Sequence, residues 1–369
     1  MRQSPSDPSR SLRIAMVVPP WYELPPSGYG GLEQVCAALV DALTALGHRV
    51  TLFGAGSNTG TATSEFVTTS GEPQYPRLGQ VLPELAHLAR VDRAISEDSF
   101  DVVHDHTTAG PLLAPRRRVP TVVTVHGRPT GELGDVLSGV DPSVGLVAIS
   151  NAQRRLAPNL PWAATVHHGL PIKDLEENPT RGDGPVLWLA RFSADKGPDI
   201  AIRACRAAGL PLVLAGKANE PTERRYLSEV VEPLLGPDVT LLSNPDRSHT
   251  MALLREARCL LMPIRWEEPF GMVMLEAMAV GTPVVALRRG AVPELIPHGE
   301  AGLICDDEAQ LPQALRDVVA IDPAACVHHV RTSFSAELMA RGYEQVYRRW
   351  ATNPAASAAG EGLISSGAW

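Results

Sequence analysis

A chain of 369 residues is too long for one ordinary domain and comfortable for two. Hydrophobic residues make up 44% and charged ones 20%, which excludes a disordered chain. The formal net charge of -8 argues against a non-specific grip on nucleic acid, although a local basic cleft stays open. The cysteines Cys36, Cys205, Cys259, Cys305 and Cys326 are odd in number and show no C-x-x-C spacing, as expected of reduced, mostly buried thiols. Apolar runs stay far below the ~18 residues of a membrane span, and the start has no signal-peptide character. A cytoplasmic location is expected, with peripheral membrane contact left open.

In chain order, residues 1–11 are rich in Ser, Pro and Arg. LRIAMVVPP from Leu12 then reads as a nearly continuous apolar strand of a buried parallel sheet. The loop PPSGYGG leads into LEQVCAALVDALTALG, which has helical spacing and stops at Gly47, and HRVTLFGAG is the next strand. DVVHDH, TVVTVHG and GLVAIS end further strands, the last followed by the short helix NAQRRLA. Around Thr165 to Pro179 the chain turns polar and Pro-containing, which marks a domain boundary. The alternation then restarts: GPVLWLARF, PLVLAGK, VTLLS, CLLMPI and TPVVAL read as strands. The intervening helices are PDIAIRACRAAG, ERRYLSEVVEPLLG, SHTMALLREA and GMVMLEAMAVG, and FSAELMARGYEQVYRRW is a final amphipathic helix. These are two successive α/β runs of Rossmann type. The expected domains are 12–172 and 180–334, with a C-terminal helix over 335–350 returning to the first.

Ligands of open parallel sheets bind beyond the carboxyl ends of the strands. The richest segment there is WEEPFGMVMLEAMAVGTPVVALRRGAVPELI, Trp266 to Ile296. In one continuous helix Glu268 and Glu276 would stand roughly 80° apart. Pro269 and Gly271 favour a loop-to-helix entry, which puts Glu268 before the helix and Glu276 in its second turn. The N–H groups of Phe270, Gly271 and Met272 would then face an anion such as a phosphate. Carboxylates beside them suit sugar hydroxyls. Arg191 ends a strand, and Lys196 follows five residues later in ARFSADKG; fixed cations there can balance charge on a departing diphosphate. GYGG, Gly28 to Gly31, opens the first helix, where glycines let amides approach an anion. His126 stands at a strand end in TVVTVHG.

The segment Trp266 to Ile296 closely resembles the signature of the family 4 glycosyltransferases, retaining enzymes of the GT-B fold, and the resemblance extends over about Leu12 to Trp350. It implies two Rossmann-like domains with parallel sheets facing across a cleft. It also implies a hexose-type sugar moved from a nucleoside-diphosphate donor to an unidentified acceptor, with no cofactor and no metal. By the resemblance, Glu268 binds hydroxyls of the transferred sugar and Glu276 the ribose. Arg191 and Lys196 neutralise the diphosphate, Gly30 and Gly31 face the donor phosphate, and His126 lies close to the sugar. Glu267 does not fit, because Leu275 lies eight places on. Two departures stand out: His168 precedes Gly169 where relatives carry Asn, and Gly290-Ala291 replaces a pair of glycines.

His104-Asp105-His106 could suggest a metal, but a third ligand at readable spacing is missing, so polar residues lining the cleft are expected there. Arg116-Arg117-Arg118 and Arg154-Arg155 read as solvated basic residues rather than a membrane or anion site. Ser150 and Cys36 carry no nucleophile signature. A sugar-nucleotide epimerase shares the architecture but usually lacks the Arg/Lys and paired-Glu set. A nicotinamide-dependent oxidoreductase would need the missing G-x-G-x-x-G.

Overall fold

Thirteen strands are found among the described residues, which in this computed structural model are 10–26, 31–58, 60–176, 179–180 and 182–352. The first seven are β1 (Arg13–Val17), β2 (Arg49–Ala55), β3 (Glu65–Ser70), β4 (Val102–Asp105), β5 (Thr121–Val125), β6 (Gly145–Ala148) and β7 (Trp162–Thr165). They form one sheet in the order β3-β2-β1-β4-β5-β6-β7, with every pair parallel. The other six are β8 (Val186–Arg191), β9 (Leu212–Lys217), β10 (Val239–Ser243), β11 (Leu260–Met262), β12 (Val284–Leu287) and β13 (Gly302–Cys305). Their sheet runs β10-β9-β8-β11-β12-β13, again all parallel.

Both sheets therefore follow the doubly wound order in which the chain leaves the first strand on one side, then returns to its other side. The crevice at that reversal lies between β1 and β4 in one sheet and between β8 and β11 in the other. Central strands are buried along their whole length, as in TVVTV of β5 and LLM of β11, because helices cover both faces. The edge strands β3 and β10 are half exposed.

The chain divides into two units, residues 1–171 with 336–369, and residues 172–335. The helix Ala336–Thr352 belongs to the first. Its Tyr343 and Tyr347 hydroxyls meet Thr124 and His104, each at 2.7 Å, and the Trp350 indole donates to the Ser143 carbonyl at 3.0 Å. All five cysteines are free and buried. The segment expected as one helix from Glu223 is instead α-helical over Pro221–Tyr226, then a π turn and a 3-10 turn that end before Leu235, with Pro233 inside the last. No helix among the described residues is long and apolar enough to cross a membrane.

Candidate active site

In the second unit, the loops that follow β8 and β11 carry the charged residues. After β8 the chain makes a 3-10 turn, Ala194–Lys196, then enters the helix Pro198–Ala208. The Trp188 indole, buried in β8, donates to the Lys196 carbonyl at 3.0 Å and fixes the turn. The Lys196 ammonium reaches the Glu268 carboxylate, in the loop after β11, at 2.5 Å. It also lies 4.5 Å from the centre of the Trp266 ring, whose N–H donates to the same Glu268 oxygen at 3.1 Å. Side chains of this ion pair are only 13% and 11% exposed, so neighbouring water screens it little.

Arg265 ties the same two loops. Its guanidinium holds the Asp199 carboxylate through two bonds, at 2.6 and 2.8 Å, and donates to the Ala194 carbonyl at 2.8 Å. Burial by itself would raise the Asp199 carboxyl. The bonds from Arg265 and Tyr226 outweigh it and hold Asp199 well below the usual carboxylate range.

Met272 opens the helix Met272–Ala279, with Gly271 before it in the left-handed region at φ 96°. A side chain on Gly271 would meet Met274 at 2.5 Å. Glu268 stands before this helix and Glu276 in its second turn; both are buried. Phe270 is buried beside Phe334, which seats the entry to the helix. In the first turn, Met274 N–H donates to the Gly271 carbonyl at 3.0 Å.

Arg191 and Glu276 each have a charged partner of their own. Arg191 donates to Glu223 at 2.7 Å, and the second Glu223 oxygen accepts from the N–H groups of Asn219 and Glu220 at the start of Pro221–Tyr226. Glu276 pairs with Arg247, in the first turn of the helix that follows β10. The structure thus joins Lys196 directly to Glu268, while Arg191 and Glu276 pair separately, with Glu223 after β9 and Arg247 after β10. Sequence reading missed Trp266, Glu223 and Arg247. For Arg247 the signal was available: Asp246, a helix-capping residue just after β10, accepts from His249 N–H at 2.8 Å and places Arg247 at the strand's carboxyl end.

The departure at Gly290-Ala291 has a local explanation. Gly290 has φ 52°, and a Cβ there would lie 2.2 Å from the Glu268 carbonyl oxygen and 2.3 Å from its nitrogen. Its N–H donates to the Glu267 carboxylate at 2.6 Å, and Ala291 N–H donates to the Glu268 carbonyl at 2.9 Å. Glycine is required at 290. Ala291 has φ -79°, open to any residue, so alanine fits. Glu267, which the family pattern left without a role, is the clasp between the two loops.

The first unit is built differently. Gly28 and Gly30 lie outside the described residues, and Gly31 opens the helix Gly31–Ala45. His104, at the end of β4, is fully buried, so the expectation that it lines a cleft is corrected: Tyr347 meets its Nδ1 and Thr124 its Nε2, each at 2.7 Å. Asp105 is likewise buried and binds Arg117 at 3.0 Å. Arg117, read as solvated, is 2% exposed along its side chain and also pairs with Asp92; Arg116 and Arg118 are exposed. Ser150 caps its helix by accepting from Gln153 N–H at 2.9 Å.

His104 and His106 do point the same way, with ring centres 4.0 Å apart. The row continues to half-buried His126 at 5.2 Å, and from there to His168 at 5.3 Å. The Asn-to-His departure before Gly169 therefore supplies the last ring of a stack. Gln153 holds the backbone on both sides of His126, donating at 2.7 Å to the carbonyls of Val125 and Gly127. Burial pushes His126 down to about 4, and His104, His106 and His168 well below the usual imidazole range. At neutral pH these rings are uncharged. No group of side chains suited to a metal ion is found among the described residues.

Two family models match this chain: "Glycosyl transferases group 1" over residues 174–324 and "Glycosyltransferase Family 4" over residues 29–159. The phosphatidyl-myo-inositol mannosyltransferase of Mycobacterium leprae is 27% identical over 373 residues, covering 91% of this chain and 97% of that one. AviGT4, a glycosyltransferase involved in avilamycin A biosynthesis, has a fold similar at TM-score 0.71 with 24% identity over 93% of this chain and 98% of its own. HepE of Anabaena, solved in complex with UDP-glucose, matches at TM-score 0.66 with 18% identity over 92% and 99%. The protein is a glycosyltransferase of the GT-B fold, which sets aside the epimerase and oxidoreductase alternatives. It belongs to glycosyltransferase family 4.

Proposed function

We propose that this enzyme moves a hexose from a nucleoside-diphosphate donor to an acceptor, with retention of anomeric configuration and without a metal ion. The observation that carries the reading is the Lys196–Glu268 pair, which spans the β8 and β11 loops at the crevice where doubly wound sheets bind ligands. An ammonium has three donors, so Lys196 can keep Glu268 while meeting a phosphate oxygen. As the sugar–phosphate bond breaks, negative charge grows on the diphosphate, and a preplaced cation stabilises it most at that moment. Arg191, anchored by buried Glu223, is the second cation. Glu268 accepts from hydroxyls of the moving sugar, and Glu276, oriented by Arg247, accepts from the ribose. The amides at Gly271 and Met272, which open this helix, donate to phosphate oxygens. HepE, a neighbour in fold, was solved with UDP-glucose, which agrees with a donor of this class.

Thermal unfolding against a panel of sugar nucleotides tests the donor. A matching donor raises the melting temperature of the wild type and loses that effect in Lys196→Ala. A panel that shifts nothing, or a variant that shifts equally, overturns the reading. Nuclear magnetic resonance of the product then decides the stereochemistry: an anomeric configuration opposite to the donor's rules out retention.

A further inference from the structure

The row of imidazoles in the first unit has a direction. His106 Nε2 lies 3.1 Å from the Met16 sulfur, and His106 Nδ1 lies 2.9 Å from His126 Nε2. A thioether carries no hydrogen and can only accept, so the proton at the Met16 end belongs to His106 Nε2. A neutral imidazole has one N–H. His106 Nδ1 is then a bare acceptor, and the proton in the His106–His126 bond comes from His126 Nε2. That leaves His126 Nδ1 without a proton. The opposite arrangement would set a nitrogen lone pair against the sulfur at 3.1 Å and waste a buried hydrogen bond.

We propose that Met16 and His106 are positioning residues that lock His126 in its Nε2–H tautomer, so that Nδ1 serves as a hydrogen-bond acceptor for a substrate hydroxyl. The part about substrate rests on the function proposed above; the tautomer does not. Three features support the lock. Met16 is fully buried in β1 and His106 nearly so beside it, leaving little room for the rings to rotate. Gln153 clamps the backbone on either side of His126, so the ring has a fixed origin. Burial keeps His106 neutral, which preserves its acceptor nitrogen. Among the described residues, no hydrogen bond uses Nδ1 of His126, and the residue is only half-buried. Hydroxyl-bearing sugars suit this acceptor. A phosphate oxygen, itself only an acceptor, does not.

The experiment is a long-range proton–nitrogen correlation spectrum of the full chain labelled with nitrogen-15 at histidine, with His126 assigned by the peaks lost in His126→Gln. The wild type is expected to show a pyridine-like Nδ1 and a pyrrole-like Nε2 at His126. A pyrrole-like Nδ1 overturns the proposal without any variant having to fold. In His106→Leu the lock is removed, the two His126 nitrogens move toward averaged shifts, and kcat/KM falls roughly tenfold. His106→Asn, whose amide oxygen can replace the accepting nitrogen, restores both. Met16→Leu keeps the volume and removes the acceptor, and it shifts the His126 nitrogens the same way by a smaller amount. Unchanged His126 shifts in both Met16→Leu and His106→Leu sink the lock. If the spectrum shows the tautomer but His126→Gln leaves kcat/KM at the wild-type value, the substrate hydroxyl is excluded and the function assigned to His126 falls with it.

Discussion

The two units share one strand order yet equip the carboxyl ends of their strands with opposite chemistry. In the second unit those ends carry ion pairs: Lys196 with Glu268, Arg191 with Glu223, Arg247 with Glu276 and Arg265 with Asp199. In the first, beside the buried Asp105–Arg117 pair, they carry uncharged rings: His104, His106, His126 and His168 in a stack, with tyrosine hydroxyls and a thioether as partners. The doubly wound frame fixes where a ligand can bind but says nothing about what kind. Charge suits a diphosphate, and neutral acceptors suit hydroxyls. The contrast also means that the two units answer to different variables: removal of a charge should cripple one, and acid should weaken the other.

The largest effect is expected from the charged side. Lys196→Ala removes the ammonium nearest Glu268 and should lower the transfer rate about 100- to 1000-fold. The fold should survive, because the Lys196 carbonyl, which the variant keeps, is the atom that anchors the turn to Trp188. Steady-state rates on a donor–acceptor pair check this, with circular dichroism confirming the fold. A variant with near-normal rates would show that the ion pair is structural, and the comparison between the units would lose its functional meaning.

Acid should act on the first unit. Its buried His87, His104, His106, His126 and His168 are neutral when folded, while in the unfolded chain they take up protons below the ordinary value of about 6.5. The unfolded state then binds more protons, so stability falls as pH falls. For His126 and for His87, each lowered to about 4, the loss is spread between roughly pH 6.5 and pH 4. His104, His106 and His168 carry it further down. A single site of this kind costs about 2 kcal/mol at pH 5 relative to pH 7. Tryptophan signals separate the units during denaturation, since Trp21, Trp162, Trp350 and Trp369 belong to the first and Trp188 and Trp266 to the second. At pH 5 the first set should unfold at lower denaturant than at pH 7, with a smaller change for the second. Equal shifts in both would remove the contrast.

Much of this was legible before any coordinates. Alternating apolar strands and helices announced the doubly wound class, and the Trp266 to Ile296 signature announced the family, because both depend on residue types at fixed spacing. What escaped was either weakly patterned or long-range. The edge strand β3, EFVTTS, is half exposed and Thr-rich, and β7, WAAT, is short and half alanine, so neither shows a buried apolar run. The stack of four imidazoles draws on the ends of β4, β5 and the stretch after β7, and its register comes from strand pairing that no local spacing encodes. Arg117 looked solvated because its partners, Asp92 and Asp105, sit 25 and 12 residues away. Arg247 and Glu223 were hidden for the same reason: each acts through a carboxylate or guanidinium supplied by a different loop.

The smallest effects come from the pair Gly290 and Ala291, and they sharpen the comparison by showing how the charged loops are held. Gly290→Ala sets a methyl against the backbone of Glu268 in a left-handed conformation that alanine resists. Strain of this kind costs on the order of 1–3 kcal/mol. The Glu268 loop should relieve part of it by moving, so the variant should lose both stability in the Trp266 signal and affinity for the donor. Ala291→Gly restores the second glycine of the family pattern, yet Ala291 has an ordinary φ and is fully buried. It should cost only about 0.5–1 kcal/mol through added backbone freedom and leave donor affinity unchanged. If Ala291→Gly altered donor affinity as much as Gly290→Ala, the clasp would be a general packing contact and not a backbone constraint aimed at Glu268. If only Gly290→Ala does so, the geometry of one glycine sets where the Glu268 carboxylate of the second unit stands.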